Sequence, residues 1–317
     1  MKIFITGITG LLGSYVAKEF ASLGEIHGFK RSSSSTRLLQ GVDFPIQWHE
    51  GSMSDIGSID QALEGMDLVI HCAGKVSYLK KDEEELFEVN VKGTANLINA
   101  MLYSGVKKLI HVSSVSALGR NPEVTIMDEK HKWVDSPFNT KYGTSKYWGE
   151  LEAWRGEQEG LDLIVVNPSI LLGKIKDDRS STSIYSYVLK NSSYYPKGSI
   201  NFLDVRDAAK IIKELFTNNC WGNRFILNKQ SMKYKEFFEK MAVAFGKKAP
   251  NKPVTDFLLK FGLFFVSLGR IMGLSKNPLN KQTAMLTQQD IRFDNKKIND
   301  VLKFEYTPLE NTFLWAK

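Results

Sequence analysis

An open, doubly wound parallel α/β sheet is the fold this sequence predicts, and three observations predict it. A short apolar run, Ile3-Phe4-Ile5, leads directly into a glycine-rich turn, Thr6-Gly7-Ile8-Thr9-Gly10-Leu11-Leu12-Gly13. That turn leads directly into a helical pattern, with Val16, Ala17, Phe20 and Leu23 on one face. Apolar runs and helical patterns then alternate at short spacing across the first half, as parallel strands joined by helical crossovers require. The chain has 317 residues, 43% hydrophobic and 24% charged, which is long for one core and predicts a second, smaller lobe.

In the first turn, Gly7 allows a tight bend and Gly10 lets backbone approach a pyrophosphate. Gly13 lets the helix pack close to the sheet, with its first N–H groups facing the anion. Gly24 reads as the stop of that helix. A second strand fits 25–30 and ends on Lys30-Arg31. The loop Ser32-Ser33-Ser34-Ser35-Thr36-Arg37 reads either as a mobile polar turn or as a phosphate clamp. A third strand fits 44–48, and a helix fits 55–63, capped by Ser54 or Asp55. Strand 67–71 exits through Cys72-Ala73-Gly74, residues small enough for backbone to lie against a ligand. A long helix over 82–103 has an acidic first turn. After it come strand 107–113, a loop with Pro122 and Pro137, helix 140–159, and strand 161–166 closed by Asn167-Pro168. In such sheets ligands bind past the carboxyl ends of the strands.

The second half changes character. Strand 201–205 leads into a helix, another strand fits 224–227, and from 233 the pattern is mostly helical. In the apolar stretch 257–274, Leu258, Phe261, Phe264, Phe265 and Leu268 recur at three- and four-residue steps. Lys260 and Arg270 make it a poor membrane span. It is expected to cover a substrate cleft, the alternative being a helix lying on a membrane surface.

The formal charge is +7, with no Lys/Arg block interleaved with aromatics. That describes a solvated basic surface that draws in phosphorylated cofactors or acidic substrates, not a nucleic-acid binder. Cys72 and Cys220 belong to no CxxC pair and no Cys/His ligand spacing occurs, so no metal site is expected. Free thiols in a reducing compartment are favoured over a disulfide. Met1-Lys2-Ile3 runs straight into the first strand without room for a signal peptide, so a cytoplasmic location is expected.

Tyr142 and Lys146 are four apart on helix 140–159 and share a face. A nearby ammonium favours the phenolate, so this tyrosine is a candidate acid or base nearer neutral pH than its ordinary value of about 10. Ser113-Ser114 ends the preceding strand, where a hydroxyl can meet a substrate oxygen. Asn90, within helix 82–103, is either an ordinary polar helix residue or an amide that breaks the ladder and holds a water.

With these residues in place the sequence resembles the extended short-chain dehydrogenase/reductase family, also called the NAD-dependent epimerase/dehydratase family. The matching stretches are Thr6-Gly7-x-x-Gly10-x-x-Gly13, His71-Cys72-Ala73-Gly74, Asn90-Val91-x-Gly93-Thr94, Val112-Ser113-Ser114 with Gly119, Tyr142-x-x-x-Lys146 and Asn167-Pro168-Ser169-x-x-x-Gly173. Asp204-Val205-Arg206-Asp207-Ala208-Ala209, Phe293-Asp294-Asn295-Lys296-Lys297-Ile298 and Tyr306-Thr307-Pro308-Leu309 continue the match almost to the end. Within the family it looks most similar to dihydroflavonol-reductase-like and 3β-hydroxysteroid-dehydrogenase-like members.

The resemblance implies a Rossmann sheet with a smaller, mainly helical C-terminal substrate lobe. It divides the chain into 1–168 plus about 200–228 for the dinucleotide, and about 169–199 with 229–317 for the substrate. It implies Tyr142 as general acid/base, Lys146 lowering its pKa and holding the nicotinamide ribose, Ser114 orienting the substrate oxygen, and Asn90 in the catalytic set. For the cofactor it implies the turn residues Gly7, Thr9, Gly10, Leu11, Leu12 and Gly13. Cys72, Ala73, Gly74 and Ser113 lie along the strand ends, and Asn167, Pro168, Ser169 and Ile170 lie beside the carboxamide. Ser52, followed by Met53, stands where the family usually has an aspartate that holds the adenine.

An Asp or Glu at the end of the second strand would bond a ribose 2′-hydroxyl, yet no carboxylate lies between Glu25 and Asp43. Arg31 with Ser32 and Ser33, closed by Arg37, fits a 2′-phosphate instead, so NADP(H) is expected over NAD(H). The expected activity is interconversion of a ketone and a secondary alcohol. A nucleotide-sugar epimerase or dehydratase with bound NAD is the alternative, and a non-catalytic NADP-responsive binder a third. The expected partner is a small carbonyl, alcohol or nucleotide-sugar substrate, with the chain as a monomer or homodimer.

Overall fold

The computed structural model describes residues 1–121, 123–177, 184–255, 257–258 and 281–317, with side chains from 284 in the last segment. The expected helix over 257–274 therefore lies almost wholly outside the described residues.

Seven parallel strands form the central sheet: β1 (Lys2–Thr6), β2 (Glu25–Lys30), β3 (Ile46–Glu50), β4 (Leu68–His71), β5 (Lys108–Val112), β7 (Asp162–Pro168) and β11 (Asn223–Leu227). Their order is β11-β7-β5-β4-β1-β2-β3, every pairing parallel. The order reverses between β1 and β4, which places the ligand crevice beyond their carboxyl ends. Alternate strand residues serve opposite faces. Ile3, Ile5, Ile70 and Ile164 pack with α1 (Leu11–Phe20) and α7 (Val205–Thr217) on one side. Phe4, Val69, Leu109 and Val165 pack with Ile59, Leu97 and Ala153 of α2 (Ile56–Leu63), α4 (Gly93–Ser104) and α5 (Lys141–Gln158) on the other.

A second cluster is built on a three-stranded sheet, β12-β10-β8 (Gln230–Lys233, Ser199–Asp204, Ile170–Leu172), under α8 (Tyr234–Phe245) and the last helix, Leu309–Ala316. β8 and β12 are too short to carry an alternation signal, and the sequence reading missed them. β6 (Ile126–Met127) pairs with β14 (Arg292–Phe293), which ties the late chain to the loop after β5. The matching stretches around 204–209 and 306–309 meet: the Asp207 carboxylate accepts from the backbone N–H and the hydroxyl of Thr307 at 2.8 and 2.7 Å.

Two expectations shift. β3 runs two residues later than read. Helix α1 ends at Phe20, capped by Ala21, so Gly24 is not its stop. A Cβ at Gly24 would lie 2.0 Å from the Met1 carbonyl oxygen, and close approach of the chain start is what requires glycine there.

His71 and His111, paired in register on β4 and β5, are each 1% exposed, with ring centroids 5.3 Å apart. Burial pulls the His71 pKa down to about 3 and that of His111 well below its usual value, with the Lys146 ammonium adding to both. Both rings therefore bind fewer protons folded than unfolded. Their contribution is complete above about pH 6.5 and is lost as pH falls from there toward the folded values, at up to about 1.4 kcal/mol per pH unit each. Urea midpoints should fall between pH 7 and pH 5. His111→Leu, which removes a ring whose two nitrogens have no partner among the described residues, should make that fall shallower. An unchanged slope would contradict the assignment.

Candidate active site

The glycine turn closes by a hydrogen bond from the Gly10 N–H to the Gly7 carbonyl, 2.9 Å, with Gly7 at φ +66°. A Cβ at Gly7 would lie 2.5 Å from the Ala73 nitrogen, and one at Gly13 would lie 2.3 Å from the Gly7 oxygen. Gly10 caps α1 without a side chain, and no acidic residue stands in the first turn. The helix thus presents bare N–H groups beside Thr9, Leu11 and Leu12, as an anion site requires.

Behind the turn a chain of buried hydrogen bonds crosses the sheet edge. The Ala73 N–H donates to Thr6 Oγ1 at 3.2 Å, and Thr6 Oγ1 lies 2.7 Å from His71 Nδ1. His71 Nε2 lies 3.0 Å from Thr94 Oγ1, whose hydroxyl donates to the Asn90 carbonyl at 2.8 Å. Because Thr94 donates onward, His71 must carry its proton on Nε2 and accept from Thr6 at Nδ1. The Asn90 carbonyl is available to Thr94 because residues 88–92 form a π-helical turn between α3 (Glu83–Phe87) and α4. Gly149 of α5 packs against that same oxygen, where a Cβ would sit 2.2 Å away.

The helix ladder is broken at Asn90 by the π turn, and its amide is engaged by protein groups. Oδ1 accepts from the Lys75 N–H at 2.7 Å, and Nδ2 donates to the Lys75 carbonyl and to Ser145 Oγ, both at 2.9 Å. Both amide donors are spent, and the residue is 2% exposed. It positions the 72–75 exit against α5 and does not line the cavity.

α5, capped by Thr140 accepting from the Gly143 N–H, brings Tyr142 and Lys146 to a cavity of about 820 Å³. Ser113, Ser114, Cys72, Gly74, Pro168, Ser169 and Ile170 line the same cavity, with Leu11 and Leu12 at one end. Ser114 caps the short turn Val115–Leu118, and its hydroxyl lies near the Tyr142 phenol. Burial pushes the Tyr142 pKa up, the Tyr78 phenol adds to this, and only the Ser114 hydroxyl opposes it. Lys146 is not among the groups that shift Tyr142 in this structure, where burial dominates. The Lys146 ammonium donates to the Val112 carbonyl at 2.9 Å, and burial brings its own pKa down to about 8 against Glu150 and Cys72. Burial also pushes the Cys72 thiol up to about 12, which disfavours its thiolate.

Glu150, one further turn along the 142/146 face, escaped the sequence reading. Its carboxylate, 4% exposed, accepts from Asn167 Nδ2 at 2.7 Å and pairs with Arg224 Nε at 3.0 Å. Asn167 Nδ2 also donates to the Ser114 carbonyl at 3.0 Å. Ser113 Oγ, Ser169 Oγ and Asn167 Oδ1 are buried with no partner among the described residues.

At the far end of β2, Arg31 and Ser32 are exposed, and Lys30 pairs with Glu50 at 2.5 Å. Arg37 does not close over this loop. Its guanidinium donates to the carbonyls of Lys176 and Asp177 at 2.7 and 2.8 Å. Ser52 Oγ lies 2.9 Å from Ser54 Oγ, and the Met53 carbonyl accepts from Asn96. Both sit past β3 at the same rim.

A family model described as the NAD dependent epimerase/dehydratase family matches residues 3–222. The chain is 29% identical over 258 residues to a putative dihydroflavonol 4-reductase of Synechocystis, spanning 79% of this chain and 74% of that protein. It is 29% identical over 232 residues to sterol demethylase protein B of Methylococcus capsulatus, spanning 72% and 69%. Among solved structures it superposes on gox2253 with a TM-score of 0.83 at 26% identity, over 99% of this chain and 96% of that one. A nucleoside-diphosphate-sugar epimerase of Pseudomonas aeruginosa shares the fold, with a TM-score of 0.79 at 20% identity over 100% and 96%.

Gly149→Ala should force α5 off the π turn and destabilise the protein by about 1–3 kcal/mol, the usual range for overpacking a dense site. Urea unfolding checks this, and a wild-type midpoint would mean that the Asn90 contact is slack.

Proposed function

Because the chain belongs to the NAD-dependent epimerase/dehydratase family, we propose that it is an NADP(H)-dependent oxidoreductase that interconverts a ketone and a secondary alcohol. The observation that carries this is the convergence of Tyr142, Ser114 and Lys146 on one cavity whose described lining contains no carboxylate and mixes apolar residues, Ile184, Leu286, Ile291 and Phe293, with the neutral polar Asn201 and Gln289.

The residues present fit a dinucleotide. The side-chain-free turn at Gly7, Gly10 and Gly13 suits a pyrophosphate, and the unpartnered Ser113, Ser169 and Asn167 oxygens suit the polar edge of a nicotinamide. Residues 1–168 with about 200–228 hold the dinucleotide, and about 169–199 with 229–317 shape the substrate side. The nicotinamide supplies the hydride when bound. Ser114 orients the substrate oxygen, and Tyr142, a phenol that carries its proton at neutral pH, gives that proton to the oxygen as the hydride arrives. Lys146 holds the ribose and recharges the proton path, with Glu150 keeping its ammonium charged. Arg31 and Ser32 meet a 2′-phosphate, without Arg37. The similarity to a putative dihydroflavonol 4-reductase supports reduction, and stoichiometry separates it from epimerisation. A reductase consumes NADPH stoichiometrically with a carbonyl panel, whereas an epimerase converts nucleotide sugars without net consumption.

Tyr142→Phe should lower turnover by about 10²–10⁴-fold or more while calorimetry shows nearly unchanged dinucleotide affinity. A near wild-type rate would remove Tyr142 from the chemistry.

Wild type should bind NADP(H) at least about tenfold more tightly than NAD(H), a difference of roughly 1.4 kcal/mol. Arg31→Asp should erase or reverse that preference. Titration of both nucleotides decides it, and tighter NAD binding by the wild type would end this reading of the loop.

A further inference from the structure

We infer that Arg120 is a specificity residue that binds a single carboxylate on the substrate, so that the preferred substrates are keto acids with an apolar body; this deepens, and rests on, the carbonyl-reductase reading. Three cations line the cavity among the described residues, Lys75, Arg120 and Lys146. Two are committed. Lys75 pairs with Glu85 and, at 3.7 Å, with Asp82. Lys146 donates to the Val112 carbonyl and is balanced by Glu150.

Arg120 has no carboxylate partner and no side-chain hydrogen bond among the described residues. Its backbone is fixed, the N–H donating to Asn139 Oδ1 at 2.7 Å next to Gly119 at φ +79°. Its guanidinium lies over the Phe293 ring, 5.7 Å from the centroid. That contact is no hydrogen bond, so it leaves the N–H donors of the guanidinium for an oxygen pair. Its titratable neighbours are phenols, Tyr78 and Tyr234, not acids, and Tyr78 also meets Tyr142 edge to face at 5.7 Å. Arg120, Tyr78 and Tyr142 thus line one cavity.

A half-buried cation left unpaired is less favourable than a paired one, and a planar fork matches a carboxylate bidentately. One uncommitted charge balances one negative charge, which favours a carboxylate over a doubly charged phosphate. The aliphatic and aromatic wall of Ile184, Ile291 and Phe293 takes the rest of the molecule.

The test uses 4-oxopentanoate, 5-oxohexanoate and 6-oxoheptanoate, each with its methyl ester, because the series varies the distance from carbonyl to charge. NADPH consumption and calorimetric binding to the NADP-loaded protein are measured for wild type, Arg120→Met, Arg120→Gln and Arg120→Lys, with melting curves to confirm folding. At least one carboxylate should exceed its ester by tenfold or more in kcat/KM or in affinity. Arg120→Met and Arg120→Gln should abolish that gap by weakening the acid alone, and Arg120→Lys should keep part of it. Esters equal to or better than their acids in wild type, or a folded Arg120→Met that keeps the gap, would overturn the proposal. Tighter binding of 4-oxopentyl phosphate than of 4-oxopentanoate would overturn the single-charge assignment. If no carbonyl is reduced but the acids still bind through Arg120, the reductase reading fails and the carboxylate site stands.

Discussion

The arrangement depends on one buried constraint, the line of hydrogen bonds from Ala73 through Thr6, His71 and Thr94 to the Asn90 carbonyl. Each link fixes the direction of the next, so His71 is held neutral with its proton on Nε2. In a low-dielectric interior such a line is favourable only when every member is satisfied. The π turn at Glu88–Lys92 frees the carbonyl that ends it. The same turn aims the Asn90 amide at Lys75 and seats Gly149 of α5. One local irregularity thus ties the glycine turn, the β4 exit and the helix bearing Tyr142 into a single rigid unit.

Electrostatics at the site follow from that geometry. Burial raises the Tyr142 pKa above its ordinary value, so the phenol holds its proton until an oxygen gaining negative charge is presented to it. Lys146 is buried too, and Glu150 offsets part of the resulting loss of proton affinity. Glu150 is itself held by Arg224 of β11 and by Asn167, the residue that also fixes the Ser114 carbonyl. The strand at one edge of the sheet therefore supports a proton-bearing group above its centre. Positioning by rigid elements with satisfied supporting bonds is what a proton transfer of defined geometry requires.

Much of this was legible in the sequence where the signal is local. The strand–turn–helix at the start, the strand ending in Lys30-Arg31, and the four-residue step from Tyr142 to Lys146 each depend on neighbours within a few positions. What escaped depends on distant partners. Glu150 lies on the same face as the pair, but a single mid-helix glutamate looks solvated until Arg224 is brought beside it. The loop bearing Arg37 fits either a mobile turn or a phosphate clamp by sequence, because the actual partners of Arg37, two backbone carbonyls 139 and 140 residues away, leave no mark in the local sequence. The roles of the amide at Asn90 and of Arg120 turn on which groups surround them, and only the fold sets that. The strands β8 and β12 were missed because three or four residues are too few to show a period.

The central claim is that this cavity moves a hydride onto a ketone while Tyr142 supplies the proton. Mass spectrometry of the product formed with NADPH deuterated at the nicotinamide C4 tests it most directly. The account predicts an alcohol carrying one deuterium for each NADPH oxidised, a yield that collapses in Tyr142→Phe. An unlabelled, isomerised or dehydrated product with the nucleotide left unconsumed would contradict it.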